Sequence, residues 1–231
     1  MIVMLHGIRK EVHEKKDDSR FRFKCKPSCA ECCKNSIVVL SPYEIYRICK
    51  SINTSFAEFL EKHALLFFDE KLNNFLSVKL RTTPECTFLD NTMCTVYENR
   101  PLACRLYPVG HNWTKTDDFF FFAGDNGCPG FKTGKEWNLK EWKEKSEIKE
   151  FFENSDAWKK IKMFFVQNNF SKEDRVFLKY FYVLAYDIFS EENKQLLEEN
   201  NMILEENPEA RIKQSLELLE SYIKSYFGQK D

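Results

Sequence analysis

The sequence predicts an α-rich α+β fold, a small irregular cysteine-rich core followed by a C-terminal helical bundle. Three observations carry this expectation. All nine cysteines fall within the first 128 of 231 residues. From about Asn138 onward the apolar residues recur at helical spacing. Only two short runs, residues 37–40 and 76–80, have the β-branched or alternating character of strands.

Composition bounds the function. A chain of 231 residues holds one domain or two small ones. With 43% hydrophobic and 31% charged residues it is globular rather than disordered, and 22 phenylalanines supply an aromatic core. Seven glycines exclude a collagen-like chain and argue against a Gly-rich nucleotide fold. Lysine and arginine number 35 against 36 acidic residues, so net charge makes no case for nucleic acid or an anionic membrane. The longest apolar run, residues 119–123, is far too short to span a bilayer. The opening MIVMLHGIRKEVHEKK is too brief for a signal peptide. The expectation is a cytoplasmic chain whose thiols stay reduced, so that clustered cysteines hold metal.

Charge also divides the chain. Residues 1–135 carry 20 basic and 16 acidic side chains, the remainder 15 and 20. Together with the cysteines this suggests an N-terminal extension at 1–20, a cysteine-cluster metal-binding core at 21–134 and a helical region at 135–231.

The elements follow in order. CKPSCAECCKNS is dense in turn formers and reads as a loop, and residues 37–40 as a short strand. Ser41-Pro42-Tyr43-Glu44 is a helix start, with an N-cap serine, proline at the first position and glutamate three after the cap. Ser55 with Glu58 repeats the pattern, predicting a second helix to about Phe68. Leu76, Val78 and Leu80 alternate as in a strand. Residues 86–104 read mostly as loop, with Pro101 opening a short helix that carries Cys104 and Arg105. Phe177, Phe181, Leu184 and Ile188 form one apolar stripe, and Ile212, Leu216, Leu219, Ile223 and Tyr226 another. Asn207-Pro208 starts the second of these helices and Gly228 ends it. Both stripes read as bundle core.

The cysteines are spaced Cys25-x3-Cys29-x2-Cys32-Cys33, then Cys49, then Cys86-x7-Cys94-x9-Cys104, then Cys128. Short cysteine loops bring soft thiolates together at low closure entropy. Four thiols within nine residues are poorly explained as core packing. Cys49 differs. It shares a helix face with Ile45, Ile48 and Ile52 and reads as a small hydrophobe.

Eight thiols remain, enough for two closed zinc sites or two four-cysteine iron–sulfur clusters; one centre with spare thiols is also open. Adjacent Cys32 and Cys33 diverge, which suits two neighbouring centres. Eight thiolates carry eight negative charges, and two doubly charged centres offset only half. Nearby cations are then needed, and Arg100 and Arg105 bracket Cys104. Almost no histidine accompanies the set. The loop-borne triplet with a distant partner is commoner for iron–sulfur clusters than for zinc, and tilts the metal reading toward iron.

Catalytic motifs are thin. His6, His13, His63 and His111 sit in no nucleophile–base pattern, and His111 reads as an ordinary loop or surface histidine. Asp117-Asp118 reads as a turn. CKPSCAEC has the cysteine spacing of radical S-adenosylmethionine enzymes, but the alternating βα pattern of their barrel and their Gly-rich motif are missing.

Four blocks in order, CKPSCAECC, SPYEIYRI, ECTFLDNTMCTVYENRPLACRLYP and CPGF, resemble the cysteine-cluster family of zinc- or iron-chelating proteins. The resemblance covers about residues 21–134. It implies metal chelation by Cys25, Cys29, Cys32, Cys33, Cys86, Cys94, Cys104 and Cys128. One branch of that family is similar to flagellin lysine N-methylases, but the helical tail lies outside the shared pattern. Two functions follow. One is a non-enzymatic metal-binding protein, whether structural module, metal handler or electron carrier. The other is an iron–sulfur-dependent protein lysine N-methyltransferase using S-adenosylmethionine, with a pocket between the cysteine core and the helices after Asn138. Tyr97, Arg100, Arg105 and Tyr107 would line that cofactor site, or else support the metal ligands. The expected partners are metal ions and a protein substrate or redox partner, without nucleic acid or membrane.

Overall fold

A computed structural model describes the chain apart from residues 1, 6–7, 27–28, 35, 114–117, 126, 169–172 and 229–231. It is mixed and α-rich, 49% helical and 22% strand, with the cysteines in its N-terminal region. The described strands are β1 (Ile2–Leu5), β2 (Ile8–Glu11), β3 (Arg20–Phe23), β4 (Val39–Leu40), β5 (Ala64–Asp69), β6 (Phe75–Leu80), β7 (Leu89–Asp90), β8 (Met93–Cys94), β9 (Val109–Trp113), β10 (Asp118–Phe122) and β11 (Phe131–Asn138). The described helices are α1 (Pro42–Ile52), α2 (Phe56–His63), α3 (Leu102–Leu106), α4 (Leu139–Lys145), α5 (Lys149–Glu153), α6 (Asp156–Gln167), α7 (Arg175–Ala185), α8 (Glu191–Glu199) and α9 (Pro208–Gly228). Among the described residues no helix is long and apolar enough to cross a membrane.

The chain forms two compact units. One comprises Met1–Val39, Lys62–Leu65 and Lys79–Glu150; the other comprises Leu40–Glu61, Leu66–Val78 and Phe151–Asp231.

The first unit is built from antiparallel pairs, β1 with β2, β3 with β11, β7 with β8 and β9 with β10. Few of these were legible as strands. In β3 the sequence alternates strictly, and Phe21 and Phe23 turn inward to pack with Val109, Leu139 and Trp142. In β10 the phenylalanine run does the same, burying Phe119 and Phe121 beside Val12. The stretch at 1–20, expected to be an N-terminal extension, carries β1 and β2, and the Lys15 amide bonds to the Phe120 carbonyl at 2.8 Å. Asp118 opens β10 rather than forming a turn, and Asp117 lies outside the described residues.

The second unit holds most of the predicted helices. At α1, Ser41 Oγ accepts from the Glu44 amide at 3.3 Å and Glu44 Oε2 accepts from the Ser41 amide at 2.7 Å, the reciprocal cap read from sequence. Ser55 and Glu58 cap α2 in the same way, at 3.3 and 3.2 Å. That helix stops at His63, however, and does not run to Phe68. Ala64–Asp69 becomes a strand because its backbone bonds go to β6, in a three-stranded sheet ordered β4-β6-β5. Phe177, Phe181 and Leu184 are buried on α7, and Ile188 is buried just beyond its end. On α9, Ile212, Leu216, Leu219 and Ile223 are buried, and the Tyr226 hydroxyl donates to Asp174 at 2.8 Å. The centre of this unit is aromatic: Phe75 meets Phe165, Phe181 and Trp158 edge-on, with ring centres 5.0–5.4 Å apart.

Candidate metal centre

The eight thiols singled out by spacing all lie in the first unit, and Cys49 lies in the second. All nine are free. Cys25 follows directly on β3, where the Lys24 amide bonds to the Gly130 carbonyl at 3.2 Å. That bond joins the first cysteine segment to the CPGF segment of Cys128. A side chain at Gly130 would place its Cβ 2.4 Å from the Lys24 carbonyl oxygen, so only glycine allows the approach.

The loop then turns through Ala30, whose left-handed backbone (φ 48°) admits a 3₁₀ turn at Glu31–Cys33. Within it the Cys33 amide bonds to the Ala30 carbonyl at 2.9 Å. The Cys33 carbonyl in turn accepts from the Cys86 amide at 2.8 Å, so the backbone itself joins the first cysteine block to the second. The Ser36 hydroxyl donates to the Cys32 carbonyl at 2.6 Å, and the Thr82 hydroxyl donates to the Ser36 carbonyl. Cys94 sits on the hairpin β7–β8, opposite Leu89, with Asn91 left-handed at its turn (φ 55°). Cys104 is carried by α3, as Pro101 predicted.

The thiols sense one another. Burial pushes the Cys25 thiol up, helped by Cys29, Cys128 and Cys33, while Arg100 acts in the opposite direction. Cys86 is raised by burial with smaller contributions from Cys33 and Cys94, and Cys94 by burial with one from Cys33. Cys32 and Cys33 share a hydrogen bond between their sulfurs. It holds Cys33 down at about 7 and raises Cys32, which also feels Cys104 and Cys25. Cys33 couples to Cys86 and Cys94 on one side and to Cys25 and Cys32 on the other, so the thiols form one linked set. Among the described residues, no three histidine, cysteine, aspartate or glutamate side chains stand in a metal-ligating arrangement.

The four polar residues expected near the ligands are placed differently from one another. Tyr97 is 57% exposed, and the Arg100 guanidinium stacks 3.8 Å over its ring while donating to its carbonyl at 2.8 Å. Arg105 is buried. It donates to the Glu98 carbonyl and reaches Glu147 at 3.4 Å, tying α3 to the turn at Tyr97–Asn99. Tyr107 is half-buried, bonds with Cys128 and meets the Phe23 ring edge-on, and burial raises its phenol. Of the other expected residues, His111 lies on β9 and bonds Asp118 across the hairpin at 2.5 Å. His63 bonds Thr87 at 3.2 Å and stacks on Phe88, just after Cys86. Sequence reading missed Ser36, Thr82 and Gly130. The glycine of CPGF was the one available signal, whereas small hydroxyls in loops carry no pattern.

Cys49, on α1, is half-buried, and burial raises its thiol to about 12, the behaviour of an inert structural cysteine.

Residues 24–129 match the family model CxxCxxCC, "Putative zinc- or iron-chelating domain". No curated protein and no solved structure matches the chain. The matched span begins one residue before Cys25 and ends one residue after Cys128, so it holds the whole set of eight thiols. Over residues 24–129, a little under half of the chain, the sequence therefore matches the family that its cysteine blocks resemble.

Proposed function

We propose that this chain is a non-enzymatic metal-binding protein whose cysteine core, at residues 21–134, holds two all-thiolate centres, iron–sulfur clusters in preference to zinc. Cys25, Cys29, Cys32, Cys33, Cys86, Cys94, Cys104 and Cys128 are the ligands. The carrying observation is that these eight thiols, drawn from four separated segments, share one unit and couple electrostatically. The donor set fits: it is all sulfur, and the side chains that act on Cys25 and Cys94 are other thiols and Arg100. Eight thiols make two sets of four, which supports two adjacent centres rather than one.

Bound there, a cluster supplies one-electron chemistry and, as zinc would, folding free energy. The chain's own residues do the positioning. The Cys33–Cys86 and Lys24–Gly130 backbone bonds set the spacing of the segments. Arg105 ties the helix of Cys104 to the Glu98 carbonyl, and Tyr107 orients Cys128. Arg100 places positive charge beside Cys25 and Cys94, where thiolate charge would accumulate. Ligands that must stay reduced favour the cytoplasm.

Anaerobic purification followed by iron, zinc and acid-labile sulfide analysis tests the reading. Iron with sulfide and a visible absorption band is expected. Colourless protein with zinc and no sulfide would reverse the choice of metal. Calorimetry with S-adenosylmethionine should show no heat, and measurable binding would return the methyltransferase reading.

A further inference from the structure

Strand β3 and the residues after it read Arg20-Phe21-Arg22-Phe23-Lys24-Cys25-Lys26. The phenylalanines are buried and the four cations exposed. At two-residue spacing the cations of the strand stand about 7 Å apart on one face. Across the sheet Glu136 pairs with Arg22 in register, and its carboxylate accepts from Arg20 at 2.8 Å. Arg22 Nε donates to the Gly134 carbonyl at 3.0 Å. Arg22, Lys24 and Lys26 make no ion pair with any described residue. The row ends at Cys25, which alone among the nine cysteines is exposed.

The geometry points to this row as the docking surface for an acidic protein segment, whose carboxylates pair with Arg22, Lys24 and Lys26 and bring the partner to Cys25. That it meets a metal ligand there rests on the reading above; the surface itself does not. One feature favours carboxylates over nucleic acid: the aromatic residues of the strand face the core, so the exposed face offers no platform on which bases could stack. Glu136 shows a carboxylate seated against one cation of the row, at 2.8 Å from Arg20. Whole-chain charge concealed this surface, because the acidic C-terminal half cancels it. A row of cations on a strand can also serve merely to discourage edge pairing, and the test separates the two roles.

The full-length, metal-loaded chain is titrated into a fluorescein-labelled decaglutamate peptide, and in parallel into a labelled oligothymidylate of equal length, with anisotropy as the readout. The peptide should bind, more weakly as salt rises. The double variant Arg22→Gln/Lys24→Gln should weaken binding about tenfold, equivalent to about 1.4 kcal/mol. Lys26→Gln, outside the strand, should weaken it by a smaller factor and guards against misfolding of the double variant. No peptide binding, equal binding by parent and variants, or tighter binding of the oligothymidylate would each overturn the proposal. Metal per chain is measured on the same samples. A loaded chain that ignores the peptide defeats the docking surface alone, whereas a metal-free chain that binds it defeats only the metal reading.

Discussion

Replacing Gly130 with alanine should break the centre without touching a ligand. The added methyl would sit 2.4 Å from the Lys24 carbonyl oxygen and 3.2 Å from both its carbon and the Phe23 ring. Ordinary contact needs about 1 Å more. The obstacle is backbone, so no rotamer change relieves it, and the segments of Cys25 and Cys128 must separate. Overpacking of this kind costs about 1–3 kcal/mol. The Lys24–Gly130 hydrogen bond goes with it, about 1 kcal/mol more. The total is about 2–4 kcal/mol, and because binding and folding are coupled it should lower apparent metal affinity at least about tenfold.

The assay is metal per chain after anaerobic purification, with urea unfolding of the loaded protein. Gly228→Ala is the control, since a Cβ there meets nothing within 4 Å; it should stay within about 0.5 kcal/mol of the parent. If Gly130→Ala keeps both parental metal content and parental midpoint, the close approach of these segments does not shape the centre.

Further perturbations sort ligands from bystanders. Cys104→Ser should lose metal and destabilise its unit, because a hydroxyl replaces a thiolate poorly, while Cys49→Ala should keep full metal and cost about 1 kcal/mol; equal metal loss in the two would undo the division into eight and one. Cys94→Ser and Cys128→Ser should each leave about half the metal if four thiolates serve each of two centres; complete loss in both would mean a single centre. Arg105→Lys should retain metal yet bleach faster in air than the parent, since an ammonium cannot span Glu98 and Glu147 with a planar fork. In the other unit, Lys162 stands over Phe75 and Trp158, and burial lowers its ammonium below 10.5 despite Glu44 and Asp69. Between the lowered native value and 10.5 the unfolded chain holds a proton that the native chain lacks, so stability rises with pH there. Lys162→Met should therefore be more stable than the parent at pH 7 in urea titrations, with the gap closing toward pH 10.

What the sequence revealed depended on how local the signal was. The caps at Ser41 and Ser55 were legible because their hydrogen bonds close within four residues. The stripes of α7 and α9 were legible because a helix repeats its own pattern. The strands of the first unit were not. β3 pairs with β11 more than a hundred residues away, and a four-residue alternation such as RFRF carries little weight until a partner is known. The end of α2 failed for the same reason: residues 64–69 are apolar enough for either state, and pairing with β6 decided. For the site, cysteine spacing named the candidates, but nothing in it announced the Cys33–Cys86 or Lys24–Gly130 bonds. Those depend on backbone groups, which every residue carries alike.

The two units solve the stability problem with different materials. From Thr82 to Arg100, a stretch carrying two of the proposed ligands, the buried residues are Thr82, Phe88 and Val96. Two buried apolar side chains do little against the entropy of ordering so long a segment, and a two-residue hairpin, β7–β8, adds little more. A metal held by Cys86 and Cys94, as proposed, would supply the missing constraint by closing the loop between them. In the other unit, Phe75, Phe165, Phe177 and Phe181 are almost wholly buried, and rings rather than ligands hold the helices. Cys86 and Cys94 thus fall in a stretch with few buried side chains, while the buried rings of the other unit lie where no ligand is proposed. In the docking proposal, Cys25, exposed at the end of a cationic strand, is the point at which the cysteine-bearing unit would meet its partner.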